Sequence, residues 1–258
     1  MAKKLVLISG ASKGIGKAFL ERYKTVEDVV AIGMNRTGSA GVGLDLMDVG
    51  AVNEFVSGLD LGGVENLVYI HGIGVDKFEP KGLPHIDEDG DGIDDEVMDS
   101  NYTTFVNFVD PLVEKVNRDD IPLTLCAIGS ISDVFEVPYW KSFWRVKNMV
   151  RKYCKAVSHD LVRSVILNVS STLDNNGRVY GRVHADTTYW QTAFELVAKS
   201  FDAVDGFQKG DCSYAEFDFF KPDPNFRSDY FTDLDRLYET WQKDLGFEGK
   251  DIPLGIRI

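Results

Sequence analysis

Cysteine is scarce. Three residues in 258, Cys126, Cys154 and Cys212, are widely spaced and odd in number, which leaves neither a metal-ligand spacing nor a disulfide framework. Cys126 and Cys154 fall in apolar, patterned segments and read as buried thiols of a reducing compartment. Long hydrophobic runs are missing too, and no segment approaches the roughly 20 apolar residues that a membrane span needs. Positive charge is in deficit, with 28 Lys and Arg against 41 Asp and Glu, a formal net charge of −13. Nucleic acid and anionic membrane surfaces both demand clustered cations, so neither is expected as a partner. Leu5-Val6-Leu7-Ile8, after Lys3 and Lys4, is too short for a secretory leader. It runs into a glycine turn rather than a cleavage site, so the cytoplasm is the expected location.

What is present fits one large α/β domain, with 44% hydrophobic and 27% charged residues over 258 positions. Short apolar runs alternate with helical patterns from the start, which signals a parallel sheet with crossover helices. Strands are expected at residues 5–9, 29–34, 42–46, 66–70, 123–128 and 165–169. A helix should open near Gly16, and a long one should run from Asp94 to Val116 with a bend at Pro111. Phe143, Val146, Val150, Tyr153, Val157 and Leu161 recur at helical spacing between the last two strands. Further on, residues 188–204 and 233–244 look helical and 213–219 extended. The expected fold is doubly wound α/β of the Rossmann type, a predominantly parallel sheet with helices on both faces.

Gly10-Ala11-Ser12-Lys13-Gly14-Ile15-Gly16 sits between the first strand and the first helix. Glycines there let the backbone approach a pyrophosphate, and the helix N-terminus offers free N–H groups and a positive dipole end. The spacing Gly10-xxx-Gly14-x-Gly16 resembles the short-chain dehydrogenase/reductase family over the first two-thirds of the chain. That resemblance implies a nicotinamide dinucleotide held by Gly10, Ser12, Lys13, Gly14, Ile15 and Gly16. It places Asp45 and Leu46 beside the adenine and Gly72 at the end of the fourth strand. The chain departs from the family at Tyr69-Ile70-His71-Gly72, where Asn-Asn-Ala-Gly is usual, and at Ser170-Ser171, where Pro-Gly is usual. NAD enzymes commonly carry an acid at the end of the second strand. Here that end reads Gly33-Met34-Asn35-Arg36-Thr37. Arg36 and Lys13 suit a 2′-phosphate, so NADP(H) is the expected cofactor.

The resemblance also implies a catalytic set of Asn, Ser, Tyr and Lys, the last two sharing a helix face at i and i+4. Asn101 and Ser130 match the first two. None of the ten tyrosines has a lysine four residues later, but Phe143 does, with Lys147, thirteen residues beyond Ser130. Every part of the frame stands except the phenol hydroxyl. Three explanations compete: a replacement introduced to trap a complex, a natural variant with another proton donor, or a site that binds cofactor without turnover. Tyr139 and His71 are the candidate substitute donors. The expected function is NADP(H)-dependent oxidation or reduction of a small polar alcohol or carbonyl, possible substrates including sugars and sugar-nucleotides. The alternative is a non-catalytic NADP(H)-binding sensor or assembly subunit.

Asp87-Glu88-Asp89-Gly90-Asp91-Gly92-Ile93-Asp94-Asp95 resembles the opening of a calcium loop, but position twelve is Met98 where a bidentate Glu is needed. It reads instead as a solvated acidic run leading into a helix, and no metal is expected. Arg178, Arg182 and His184 fall where the family builds a substrate lid, within residues 174–258. The resemblance further implies a homodimer or homotetramer built through the long helices.

Overall fold

The computed structural model describes residues 3–79, 83–134, 136–170, 172–173, 190–207, 212–219 and 233–253. Seven strands form one parallel sheet: β1 (Lys4–Ser9), β2 (Val29–Asn35), β3 (Gly41–Gly43), β4 (Asn66–His71), β5 (Leu123–Ser130), β6 (Val162–Val169) and β9 (Tyr214–Phe219). Their order is β3-β2-β1-β4-β5-β6-β9, every neighbouring pair parallel. The order reverses between β1 and β4, and the crevice at the carboxyl ends of those strands is where such sheets bind ligands. Two short strands, β7 (Thr172–Leu173) and β8 (Gln191–Thr192), pair separately.

Strand alternation splits the core into two layers. Leu5, Leu7, Leu67, Tyr69 and Leu125 face α2 (Val49–Ser57), α4 (Thr104–Asp119) and α6 (Lys141–Val157). Val6, Ile8, Val68, Ile70, Cys126 and Val165 face α1 (Gly14–Tyr23) and α7 (Ala193–Asp205). Both faces are therefore covered, as near-continuous apolar strands require. The fold is a doubly wound Rossmann-type α/β architecture. A satellite cluster of Phe78, Val137, Trp140, Leu237, Trp241 and Ile252 seats α8 (Leu234–Asp244).

Several sequence expectations need correction. The helix α2 was not anticipated, although Asp48 caps it by accepting the N–H of Ala51 and Val52 and Val56 are buried on one face. The strand expected at 42–46 covers only Gly41–Gly43. The first helix begins at Gly14 rather than Gly16. The helix expected at 94–116 is three pieces: α3 (Asp95–Met98), a π-helical turn (Asp99–Thr103) and α4, which carries Pro111 inside it. Cys126 and Cys154 are buried free thiols, whereas Cys212 is exposed.

Candidate functional site

Three glycines meet at the switch point. A Cβ on Gly10 would lie 2.6 Å from the carbonyl oxygen of Gly72, and one on Gly72 would lie 2.7 Å from that of Ser9. On Gly16 it would lie 2.6 Å from the carbonyl oxygen of Gly10. All these neighbours are backbone, so no side chain can be admitted without moving the chain. Gly10 and Gly14 also hold positive φ, +64° and +58°. Above Gly14 the geometry changes: a Cβ there meets nothing within 4 Å. The residue before α1, Lys13, makes no side-chain cap hydrogen bond, so no Lys13 side-chain acceptor occupies the first-turn N–H groups. A pyrophosphate fits this cradle on charge and on room.

Ser12, Lys13 and Arg36 are exposed around the turn, and Ile15 is half-buried against the α1 layer. Arg36 begins a turn folded on Asn35, whose side-chain carbonyl accepts the N–H of Ala40 and whose amide donates to Thr37. Asp45 is exposed and accepts the N–H of Met47, while Leu46 is buried and its carbonyl accepts from Asn107.

From Gly72 the chain reaches Gly74 in two residues, at most about 7 Å. A Cβ on Gly74 would come within 3.2 Å of Asn101 Oδ1 and 3.8 Å of Lys147 Nζ. The glycine cradle and the expected catalytic groups are thus joined by one short loop. Asn101 sits fully buried in the π-helical turn, and its amide donates to the carbonyls of Val75 (2.7 Å) and Val97 (2.9 Å). Its Oδ1 is buried without a hydrogen-bond partner among the described residues. Irregular turns of this kind are common where a helix must present a side chain to a site. Lys147 is 5% exposed, and burial pushes its ammonium down to about 8. Its Nζ lies 5.2 Å from the centroid of the Phe143 ring. Phe143 is half-buried and packs against two clusters, the satellite cluster that contains Phe78 and Trp140 and a small one of Ile93, Val97 and Val146.

Ser130 closes β5 as a helix cap. Its Oγ accepts the N–H of Ser132 (3.2 Å) and lies 2.9 Å from Ser132 Oγ. Its own N–H donates to the Asp133 carboxylate at 3.2 Å. Asp133 in turn pairs with Arg151 of α6. These last two residues were missed in the sequence, although Ser130-x-x-Asp133 has the spacing of a reciprocal cap.

Of the two substitute donors, Tyr139 has its hydroxyl taken, whereas His71 is bonded at Nδ1 and has no hydrogen-bond partner for Nε2 among the described residues. Tyr139 donates its hydroxyl to the carbonyl of Leu234 (3.1 Å) and stacks on Phe78. His71 is buried, with Nδ1 2.8 Å from the Tyr69 hydroxyl and 3.1 Å from Ser9 Oγ. Burial first, and then Lys147, pushes its imidazole down to about 3, so it is neutral at ordinary pH. In the acidic run, oxygens of Asp87, Asp89 and Asp91 lie within 4.8 Å of one another and accept N–H groups of their own loop. Asp94 is not solvated as expected. It is buried, bonded to Lys77 at 2.8 Å, and caps α3. Arg178, Arg182, His184 and Ser171 lie outside the described residues.

No protein-family model and no curated protein matches the sequence. Solved structures do resemble it. A 4-hydroxyisoleucine dehydrogenase complexed with NADH aligns over 84% of this chain and 97% of its own, at 17% identity and TM-score 0.63. A short-chain dehydrogenase from Burkholderia cenocepacia in complex with NADP aligns over 92% and 95%, at 15% identity and TM-score 0.64. One from Streptomyces avermitilis aligns over 96% and 99%, at 12% identity and TM-score 0.63. At such identities the likeness is one of architecture, and the architecture is that of the short-chain dehydrogenases.

Proposed function

We propose that this chain is an NADP(H)-dependent oxidoreductase of the short-chain dehydrogenase type, acting on a carbonyl or alcohol of a small polar molecule such as a sugar derivative. The observation that carries this reading is the short path from the glycine cradle to the pair Asn101 and Lys147. Gly10, Gly14, Gly16 and the N–H groups of α1 hold the pyrophosphate, with Gly72 closing the floor. Arg36 and Lys13 meet the 2′-phosphate, and Asp45 and Leu46 flank the adenine. The bound nucleotide supplies or accepts a hydride. Ser130 polarises the substrate oxygen with its hydroxyl, and Asn101 holds water through its free Oδ1. Lys147, near 8, releases and regains a proton around neutral pH. Phe143 occupies the slot of the missing phenol.

A specific observation also favours the second reading, a nucleotide-binding protein that does not turn over. Tyr139 is committed to Leu234, and His71, bonded at Nδ1 to Tyr69 and Ser9, is buried as a neutral imidazole with only Nε2 left to act. The substitution Phe143→Tyr separates the two. In the oxidoreductase reading it raises NADPH oxidation with a panel of carbonyl compounds by about 10²–10⁴, the usual worth of a general acid. Tight NADPH binding with no turnover in F143Y would establish the second reading. Failure of the wild-type chain to bind either nicotinamide nucleotide would remove both.

A further inference from the structure

Beneath Ser130 charge adds to the hydrocarbon contacts of Val150 and Cys154 in holding the sheet to α6. Asp133 and Arg151 are 4% and 8% exposed. The Asp133 carboxylate accepts the backbone N–H of Ser130 and pairs with Arg151 Nη1. The other arms of the guanidinium reach two further strands. Nη2 donates to Asn168 Oδ1 at the end of β6, and Nε donates to Glu216 of β9 at 3.0 Å. Asn168 also donates to Asp218 at 2.9 Å. Gly129 leaves the room for this crossing, since a Cβ there would lie 2.9 Å from Arg151 Nη2. One planar fork thus ties α5 (Ile131–Val134), β6 and β9 to a single helix, which a lysine could not do.

A buried ion pair is weak evidence for stability, because well-packed hydrocarbon of similar volume does as well or better. Position is the more telling consequence. Lys147 and Arg151 are four residues apart on the buried face of α6, where two like charges repel. The groups that face Lys147 are Asp133 from α5, Asp76 from the loop after β4, Arg151 from its own helix and His71 from β4. The two carboxylates favour its ammonium; Arg151 opposes it.

We propose that Asp133 and Arg151 are positioning residues, the pair fixing Ser130 through its backbone N–H and balancing the charge around Lys147. The proposal rests on the nucleotide-dependent reading above for its function, but not for its test. Losing the Asp133 charge removes support for the Lys147 ammonium, and losing the Arg151 charge removes an opponent. The two substitutions therefore move one titration in opposite directions, which a merely structural role does not.

The test is the titration of Lys147 followed by NMR in the full chain labelled with carbon-13 at lysine Cε, with Lys147→Arg identifying the resonance. Asp133→Asn is expected to lower its midpoint from about 8 by about one pH unit, and Arg151→Gln to raise it by a similar amount. Asp133→Glu keeps the charge and should hold the midpoint in place. The double variant D133N/R151Q carries neither charge, so it protects the test against misfolding of a single variant; its midpoint should return near that of the wild type. Single variants that shift together, or a midpoint indifferent to both, would overturn the proposal. NADPH titration of the wild-type chain is read separately. Its failure would sink the nucleotide reading and leave the lysine result standing.

Discussion

Replacing Gly10, Gly14 and Gly16 by alanine, one at a time, separates the physical demands that the phosphate turn combines. At Gly14 the only internal obstacle is φ +58°, since a methyl group meets nothing within 4 Å. The left-handed backbone costs an alanine roughly 1–2 kcal/mol. At Gly16 the backbone is ordinary, but the methyl would stand 2.6 Å from the Gly10 oxygen and 2.9 Å from that of Ser9. Neither neighbour is a side chain that can swing away, so the cost is that of overpacking, about 1–3 kcal/mol. Gly10 incurs both, with φ +64° and a methyl 2.6 Å from the Gly72 oxygen, so the sum is about 2–5 kcal/mol. At roughly 2–4 °C per kcal/mol for a chain of this size, thermal unfolding should rank Gly10→Ala well below the other two. NADPH fluorescence titration should rank them differently. Gly14→Ala is expected to lose only the roughly 1–2 kcal/mol of its backbone strain yet bind NADPH at least about tenfold more weakly, because its methyl projects into the space where the pyrophosphate is proposed to approach. Unchanged NADPH affinity in G14A would refute the assignment of that open side to phosphate. Wild-type unfolding of G16A would refute the tight approach itself.

Arg36→Ala should weaken NADPH by about 10–100-fold, the worth of a charge-assisted hydrogen bond, and leave NADH unchanged in parallel calorimetric titrations. Equal effects on the two nucleotides would remove the arginine from the 2′-phosphate. Lys147→Met should stabilise the chain against urea at neutral pH by up to about 3 kcal/mol, since the buried ammonium sits near 8 rather than its ordinary 10.5. The folded state gives up that proton first, so wild-type stability rises with pH from about 8 to 10.5 and the advantage of K147M fades over the same range. An advantage that is absent at pH 7, or constant to pH 10.5, would mean that the lysine is not held in this unfavourable state.

The parts of the site readable in the sequence are those whose requirements are local. Gly10, Gly14 and Gly16 are dictated by backbone dihedrals and by contact with atoms only a few residues or one strand away, so residue type alone exposes them. Phe143 and Lys147 were picked out through the family resemblance, and their i and i+4 spacing on one helix face brings ring and ammonium to 5.2 Å. What escaped depends on distant partners. Arg151 reaches Glu216, 65 positions along the chain, and no spacing announces such a pair. Tyr139 looked available until Leu234, 95 positions away, proved to accept its hydroxyl. The π-helical turn at Asn101 was invisible for another reason: one extra residue in a turn hardly disturbs a hydrophobic period. Asp94 was misread because it stands in a run of acids, and only the fold brings Lys77 against it.

The consequence of the missing phenol is narrower than its place in the frame suggests. Phe143 packs against the satellite cluster and against that of Ile93, Val97 and Val146, so the ring at this position contributes to packing whether or not it carries a hydroxyl. Lys147 is different. Its burial opposes its charge, and nothing in the packing around Phe143 calls for an ammonium there. A group held against the stability of the fold, near an Asn101 oxygen that has no partner among the described residues and within the field of the carboxylate that accepts the N–H of Ser130, is best explained by something the site must bind. On the proposed oxidoreductase reading, phenylalanine at residue 143 removes one proton route and leaves the proposed cofactor residues in place. That is why a single added oxygen, in F143Y, is a sufficient test of whether the scaffold still performs chemistry.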